Sequence, residues 1–202
     1  MRLPAFLRPA SVAACLFAGC AGNVVAPEQY LDPQTAVTVT SMRQPWVYAH
    51  EDLAIAKHAR DYLNVGLLEV NRTGTRRYWL VVVAWTTIDR SALNLPPPAP
   101  IDALQLERFD DAAIRLAAER GGRRIAGTSR AYFDPPGAAR TRESWFELST
   151  AQFTGLAAQP PTSISIAARG DREVTFAPWR VDSEYADALK ASVAPPGGAD
   201  AK

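Results

Sequence analysis

The sequence predicts an all-β fold, a mostly antiparallel β-sandwich with one or two short helices. Many short runs of β-branched and aromatic residues alternate with turns rich in glycine and proline. The regular alternation of strands and helices that builds a parallel sheet does not occur in the sequence, and no repeat of fixed period divides it. These observations together favour antiparallel strands packed around one core.

The strongest strand signal is a long hairpin in the first half of the chain. Two apolar arms, 61–71 and 77–88, flank a loop whose Gly74 can supply the positive φ that a tight connection needs. The second arm is apolar on both faces from residue 78 to residue 84. Such a pattern predicts a central strand that is covered on both sides at its middle.

The other predicted elements are shorter. Further strands are predicted at 37–40, 46–48, 113–118, 123–126, 131–133, 145–148, 163–167 and 173–176. A helix is predicted at 150–158, capped by Thr150, and a last one begins at Asp182 or Ser183. The proline tract 95–100 reads as an extended crossover. Two alternatives stay open, a short helix at 50–60 in place of an irregular edge segment, and a helix at 110–120 in place of a strand.

The first twenty residues form a separate unit. They contain Arg2 and Arg8, no acidic residue, and an apolar core that runs directly into Cys20. That core is too short to span a bilayer, which takes about 20 residues. Residues 17–20, Phe-Ala-Gly-Cys, resemble the bacterial lipobox, although leucine is usual where Phe17 stands. The resemblance implies that 1–19 is a lipoprotein signal peptide and that the mature chain begins at a lipidated Cys20; an ordinary secretory signal or a retained anchor helix is the alternative.

The resemblance also implies a location. Aspartate directly after the cysteine would signal retention in the inner membrane, but Ala21 stands there. We therefore expect the protein in the cell envelope, attached by palmitate-type acyl chains to the periplasmic leaflet of the outer membrane. Within the chain we expect a flexible tether at 20–29, a single β-sandwich domain at 30–193 and a disordered tail at 194–202.

Composition limits the kinds of partner. The only cysteines are Cys15 and Cys20, so the mature domain has no internal disulfide and depends on burial of apolar side chains. Without Arg2 and Arg8, 20 basic residues stand against 21 acidic ones. This balance gives no reason to expect nucleic acid as a partner.

The sequence offers little catalytic or metal-binding chemistry. Its two histidines, His50 and His58, are eight residues apart, a spacing too wide for one metal ion on a regular helix. No HExxH, CxxC or GxSxG string occurs, and a lipidated Cys20 could not act as a nucleophile. We therefore expect no catalytic residue, no metal and no cofactor. A hydrolase assembled around either histidine is retained as a third hypothesis.

Two sets of residues are candidates for an interaction surface. Exposed aromatic side chains would give an apolar docking patch, and the candidates are Trp46, Trp85 and Trp179. Arginine pairs near hairpin tips could meet anionic groups, and the candidates are Arg76, Arg77, Arg123 and Arg124. The alternative for the arginines is that charge at strand ends prevents edge pairing.

These observations favour a non-enzymatic function. The first hypothesis is an interaction or accessory module of an envelope assembly, held to the membrane by lipid and bound to an envelope protein. In plan, an acyl anchor and a small sandwich of the immunoglobulin or transthyretin type, the chain resembles the lipoprotein subunits of secretion and pilus machines. The second hypothesis is a periplasmic carrier with an apolar cavity between its sheets that holds a lipid or another small ligand.

Overall fold

Within the described residues the fold has ten strands and two helices with complete bounds, and residues 187, 189 and 190 are also helical. A computed structural model describes residues 26–53, 55, 59–95, 101–108, 113–135, 141–167, 173–182, 187, 189 and 190. The strands are β1 Glu28–Leu31, β2 Thr38–Ser41, β3 Trp46–Glu51, β4 Arg60–Arg72, β5 Thr75–Thr86, β6 Ala103–Glu107, β7 Ile114–Ala117, β8 Arg142–Leu148, β9 Ser163–Ala167 and β10 Glu173–Arg180. The helices are α1 Gly122–Ala126 and α2 Thr150–Ala158. The prediction of a mostly antiparallel all-β fold with short helices is confirmed.

The long hairpin of β4 and β5 is the centre of the sheet. Its arms pair without interruption from Asp61 opposite Thr86 to Arg72 opposite Thr75, which leaves a two-residue loop. The other edge of β4 pairs first with β3 and then with β2, and β1 is added outside β2. The other edge of β5 pairs with β8.

Strand β10 joins this part of the sheet to a second part. Residues 177–180 pair with β3, whereas residues 173–176 pair with β9, which continues to β6 and β7. All ten strands therefore belong to one open antiparallel sheet. Side chains of both parts meet in one buried cluster, which includes Leu63, Val65, Leu80, Val82, Leu104, Leu106, Ile164 and Phe176. Strand β10 thus connects the two layers of the predicted sandwich, the first of which contains β1 to β5 and β8 and the second β6, β7 and β9.

The outer face of the first layer is covered over part of its area. A second buried cluster lies there, and it includes Val39, Leu68, Val70, Trp79, Val81, Val83, Ala126, Tyr132 and Trp145. Its cover is α1 and the segment 128–135. As predicted, β5 is buried on both faces at its middle, where Trp79 to Val83 are 0% exposed. The cover stops before Tyr62 and Trp85, which are half-buried.

Two predicted strands are wrong. Residues 123–126 lie in α1, which two glycines in left-handed conformation delimit, Gly121 at φ 70° and Gly127 at φ 77°. Residues 131–133 are irregular, and Phe133 has a φ of 62°, which no regular strand allows. Ala126 of the first segment and Tyr132 and Phe133 of the second pack against the sheet from outside it, and the short apolar alternation of each segment resembles that of a strand.

Several boundaries differ from the predicted ones. The cap of α2 is Ser149, one residue before Thr150, and the helix ends at Ala158 as predicted. Strand β1 begins at Glu28, so the fold starts within the predicted tether. The predictions for the signal peptide, Cys20, His58, residues 96–100 of the proline tract, Ser183 as a cap and the tail at 194–202 fall outside the described residues.

Candidate functional site

An open groove of about 480 Å³ lies where the cover of the first layer stops. This volume is within the range of small-ligand sites, about 300–1,000 Å³. We call it the aromatic groove. Its lining residues are Glu28, Ser41, Met42, Arg43, Pro45, Val47, Tyr62, Asn64, Trp85, Arg130, Tyr132, Phe133, Asp134, Pro135, Trp179 and Arg180.

Three aromatic rings from three strands stand together in the groove. The hairpin register places Tyr62 of β4 opposite Trp85 of β5, and their rings stack at 4.3 Å between centroids and 13° between planes. Trp179 of β10 meets Tyr62 edge to face, at 6.2 Å and 78°. The Arg60 guanidinium lies 4.7 Å from the centre of the Trp179 ring. These contacts fix the three rings, although Trp179 is 57% exposed.

A buried amide connects the floor of the groove, formed by the rings of Tyr62, Trp85 and Trp179, to its wall, residues 130–135. Asn64 is 5% exposed. Its Oδ1 accepts a hydrogen bond of 2.9 Å from the indole Nε1 of Trp85, and its Nδ2 donates one of 2.7 Å to the carbonyl oxygen of Phe133. Both ends of the amide are therefore used within the protein. Asn64 sets the orientation of Trp85 and the position of the wall together.

The wall at 130–135 depends on a close approach to β4. A Cβ atom at Gly66 would lie 2.3 Å from Cε2 and Cζ of Phe133, a distance that no side chain can tolerate. Phe133 also has a positive φ, which is unfavourable for a bulky residue. Unfavourable backbone of this kind persists only where the surrounding contacts hold it, and it is common at binding sites.

Asp32 anchors the start of the wall. Its carboxylate is fully buried and accepts hydrogen bonds from the Ser129 amide at 2.6 Å and the Ser129 hydroxyl at 2.8 Å. The amides of Gln34 and Thr35 donate to its other oxygen. These donors, the Ser129 amide first, lower the pKa of Asp32 to about 2. The ionised carboxylate thus ties the wall to the loop before β2.

Charged side chains surround the aromatic rings. Arg130 pairs with Glu28 at 3.0 Å and lies 5.4 Å from the ring centres of Tyr30 and Tyr132. Arg43 and Arg180 are exposed, and neither forms an ion pair with another residue in the described part of the chain. The groove therefore has an aromatic floor and a rim on which arginines outnumber carboxylates.

The predicted tryptophans separate into two groups. Trp85 and Trp179 both line the groove, on either side of Tyr62. Trp46 requires a correction, because it is 1% exposed and belongs to the core between the layers. Its indole Nε1 donates a 3.0 Å hydrogen bond to the carbonyl oxygen of Asp182. Trp46 is therefore a structural residue.

The predicted arginine pairs do not form a common surface. Neighbours on a strand point to opposite faces, so Arg76 pairs with Glu69 on one face and Arg77 with Glu147 on the other. Arg77 holds Glu147 in a bidentate pair at 2.7 and 2.6 Å, which lowers the pKa of Glu147. Both arginines are therefore engaged in ion pairs within the fold, and neither lines the aromatic groove.

Helix α1 carries the second arginine pair. Arg123 contacts Glu143 of β8, and Arg77 donates to the carbonyl oxygen of Ile125 at 3.4 Å. Both contacts hold α1 over the sheet. Arg124 is exposed on the same helix and does not line the aromatic groove.

His50, the histidine that the structure describes, interacts with β10. His50 Nδ1 lies 3.0 Å from the carbonyl oxygen of Thr175, and its ring packs against Phe176 at 5.6 Å. Among the residues that the structure describes, no three His, Cys, Asp or Glu side chains come close enough to hold a metal ion. No helix in the described ranges is both long and apolar enough to cross a membrane.

Sequence reasoning missed four residues that shape the groove, Tyr62, Asn64, Gly66 and Phe133. The sequence did contain one signal for Tyr62. If the hairpin strands are paired residue by residue from a two-residue loop at Thr73 and Gly74, Tyr62 lies opposite Trp85. No local pattern could find Phe133, since its position depends on a contact with β4 that is distant in sequence.

Comparison with protein-family models, with curated proteins and with solved structures gives no match to this chain. The function is therefore argued from the groove and from the sequence.

Proposed function

We propose that the protein is a lipoprotein of the outer membrane, anchored in its periplasmic leaflet, that acts as a non-enzymatic interaction module of an envelope assembly. In this proposal the aromatic groove binds the partner. The observation that carries it is the fixed arrangement of Tyr62, Trp85 and Trp179 at the surface, since aromatic side chains are enriched in interfaces and dominate their energetics.

The groove supports this function better than it supports a lipid carrier. A carrier would enclose an acyl chain in an apolar cavity, whereas the groove is open and has Arg43, Arg130 and Arg180 at its rim. The interior between the layers is occupied by large side chains, among them Trp46, Tyr48 and Phe146. An aromatic floor with a charged rim is the usual composition of a protein-binding surface.

An affinity purification tests the proposal. The full chain with a C-terminal tag is expressed in cells, cross-linked, purified and analysed by mass spectrometry beside Cys20→Ala, which cannot be lipidated. We expect one envelope complex to be enriched with the wild type and lost with the variant. Equal enrichment from both would show that the complex does not require a lipid anchor at Cys20. Co-purified lipid without a specific protein would favour the carrier.

A further inference from the structure

We propose that the aromatic groove binds an extended polypeptide segment that contains proline and acidic residues, carried by a partner that itself lies at the periplasmic surface of the outer membrane. This inference rests on the proposed function and specifies the partner. It follows from the reach of the anchor, the chemistry of the floor, the charge of the rim and the rigidity of the wall.

The anchor limits how far the groove can lie from the membrane. Glu28 is both the first residue of β1 and a lining residue of the groove. Only seven residues separate it from Cys20, so the eight Cα–Cα steps span at most about 29 Å even when the chain is fully extended. A lipidated Cys20 therefore keeps the groove close to the bilayer, which favours a partner embedded in or bound to the same membrane.

The floor presents mainly ring surfaces to a ligand. Asn64 is 5% exposed, and one amide N–H and one lone pair of its oxygen are already bonded to Phe133 and Trp85, so it offers little hydrogen bonding to a ligand. A saccharide would need several directional hydrogen bonds there. Pyrrolidine rings need none, and a polyproline-type segment fits between aromatic ridges such as those formed by Tyr62 and Trp179.

The rim selects the charge of the segment. Arg130 is neutralised by Glu28, which leaves Arg43 and Arg180 against the single carboxylate of Asp134. Arginine binds carboxylates in a bidentate manner and keeps its charge at any physiological pH. Acidic residues beside the proline stretch would complete these pairs, and basic residues there would be repelled.

Contacts within the protein hold the groove in its shape. Asn64 and Gly66 fix the wall, and the ring contacts fix the floor. Binding of a stiff, extended segment to a rigid groove therefore loses little conformational freedom on either side. This favours recognition of a short linear segment over a large flat interface.

Random dodecapeptides displayed on phage and selected against the full mature chain test the inference. We expect enriched peptides to combine proline with aspartate or glutamate. Synthetic copies are then measured by fluorescence anisotropy against Trp179→Ala and Arg180→Glu, both at exposed positions where folding is not at risk. Each variant should weaken binding by about tenfold or more. The matched controls Ile125→Ala and Arg124→Glu, both exposed on α1, should leave it unchanged.

Several results would overturn the inference. They are a selection without enrichment, enriched peptides that lack proline or acidic residues, and binding that persists in both groove variants. Groove-dependent binding of phosphatidylglycerol vesicles or of a chitin hexasaccharide in place of the peptides would assign the site to a lipid or a glycan.

The two proposals can fail separately. The affinity purification could yield a complex that requires Cys20 but is retained by both Trp179→Ala and Arg180→Glu. That result would support the anchored module and contradict the peptide site. If the peptides bind the groove but the complex does not depend on Cys20, the peptide site is supported and the lipid anchor is contradicted.

Discussion

At the scale of single residues, Phe133 holds a backbone conformation that a bulky side chain seldom adopts, and Gly66 is the residue that makes room for its ring. Asn64 completes this arrangement by accepting from Trp85 and donating to Phe133. The three residues link the wall to the floor, so a change in any of them should alter the groove as a whole.

A methyl group at position 66 tests this link. Gly66→Ala places a Cβ atom 2.3 Å from the Phe133 ring, so the ring must move away from β4. Overpacking of this kind lowers the free energy of unfolding by about 1–3 kcal/mol. Urea denaturation measures the free energy of unfolding. Fluorescence anisotropy of the selected peptides should show that the same variant binds them more weakly.

Gly155→Ala is the matched control for this substitution. At position 155 a Cβ atom meets only the flexible end of Arg108, at 3.0 Å, and alanine favours the helix by up to about 1 kcal/mol. We expect the control to be neutral or stabilising and to bind like the wild type. Equal losses from both variants would contradict the role of Gly66.

Asp32 makes stability depend on pH in the acid range. Because its pKa falls from 3.8 to about 2 on folding, the folded state releases this proton more readily than the unfolded state. The contribution is complete above about pH 4 and is lost as the pH falls through about 2. Asp32→Asn should therefore unfold at a lower temperature than the wild type at pH 7, and the difference should narrow towards pH 2.

Ser129→Ala provides the comparison, because it removes the hydroxyl donor and keeps the amide donor to Asp32. Its loss in unfolding temperature should be smaller than that of Asp32→Asn. A difference between wild type and Asp32→Asn that is constant from pH 7 to pH 2 would show that the carboxylate is not stabilised in the folded state.

At the scale of elements, α2 illustrates how a local signal can position a core segment. The Ser149 hydroxyl accepts from the Gln152 amide at 3.2 Å, and the Gln152 side chain accepts from the Ser149 amide at 2.9 Å. This capping box starts the helix, whose Phe153 and Leu156 are buried against the first layer.

Removal of this cap should destabilise the protein without changing the groove. Ser149→Ala should lower the free energy of unfolding by about 1 kcal/mol, measured by urea denaturation. Thr154→Ala, at an exposed position in the same helix, should change it by less than about 0.5 kcal/mol. If the two variants behave alike, the capping box contributes nothing measurable.

Elements defined by their own sequence could be predicted, and those defined by distant contacts could not. The hairpin of β4 and β5 and the helix α2 follow from apolar periodicity and turn residues within each segment. Helix α1 depends on Gly122 lying against Trp145, where a Cβ would be 2.3 Å from the Trp145 Cβ. That contact spans two elements and leaves no mark in the local pattern.

The same division applies to the candidate site. Trp85 and Trp179 could be selected from residue type, because the strand around Trp85 becomes polar there and aromatic residues are common in interfaces. Residue type also selected Trp46, which is buried, and Arg77, which is paired with Glu147. Only the pairing of strands decides which of these side chains face solvent.

At the scale of the whole molecule, one sheet supplies both the core and the groove. Strand β10 joins the two layers, and its last residues place Trp179 and Arg180 beside β3 and β4. The groove also includes Glu28, where the chain enters the fold after the predicted tether. The first strand of the described chain therefore begins beside the proposed binding surface.

Photocross-linking in cells tests most directly whether the aromatic groove is the surface that meets a partner. Benzoylphenylalanine replaces Trp179 in the full chain, and Thr154 on α2 serves as the exposed control position. We expect position 179 to give one discrete cross-linked product, from an envelope protein and through a segment with proline and acidic residues, and position 154 to give none. No product at position 179, or the same product at both positions, would contradict the account.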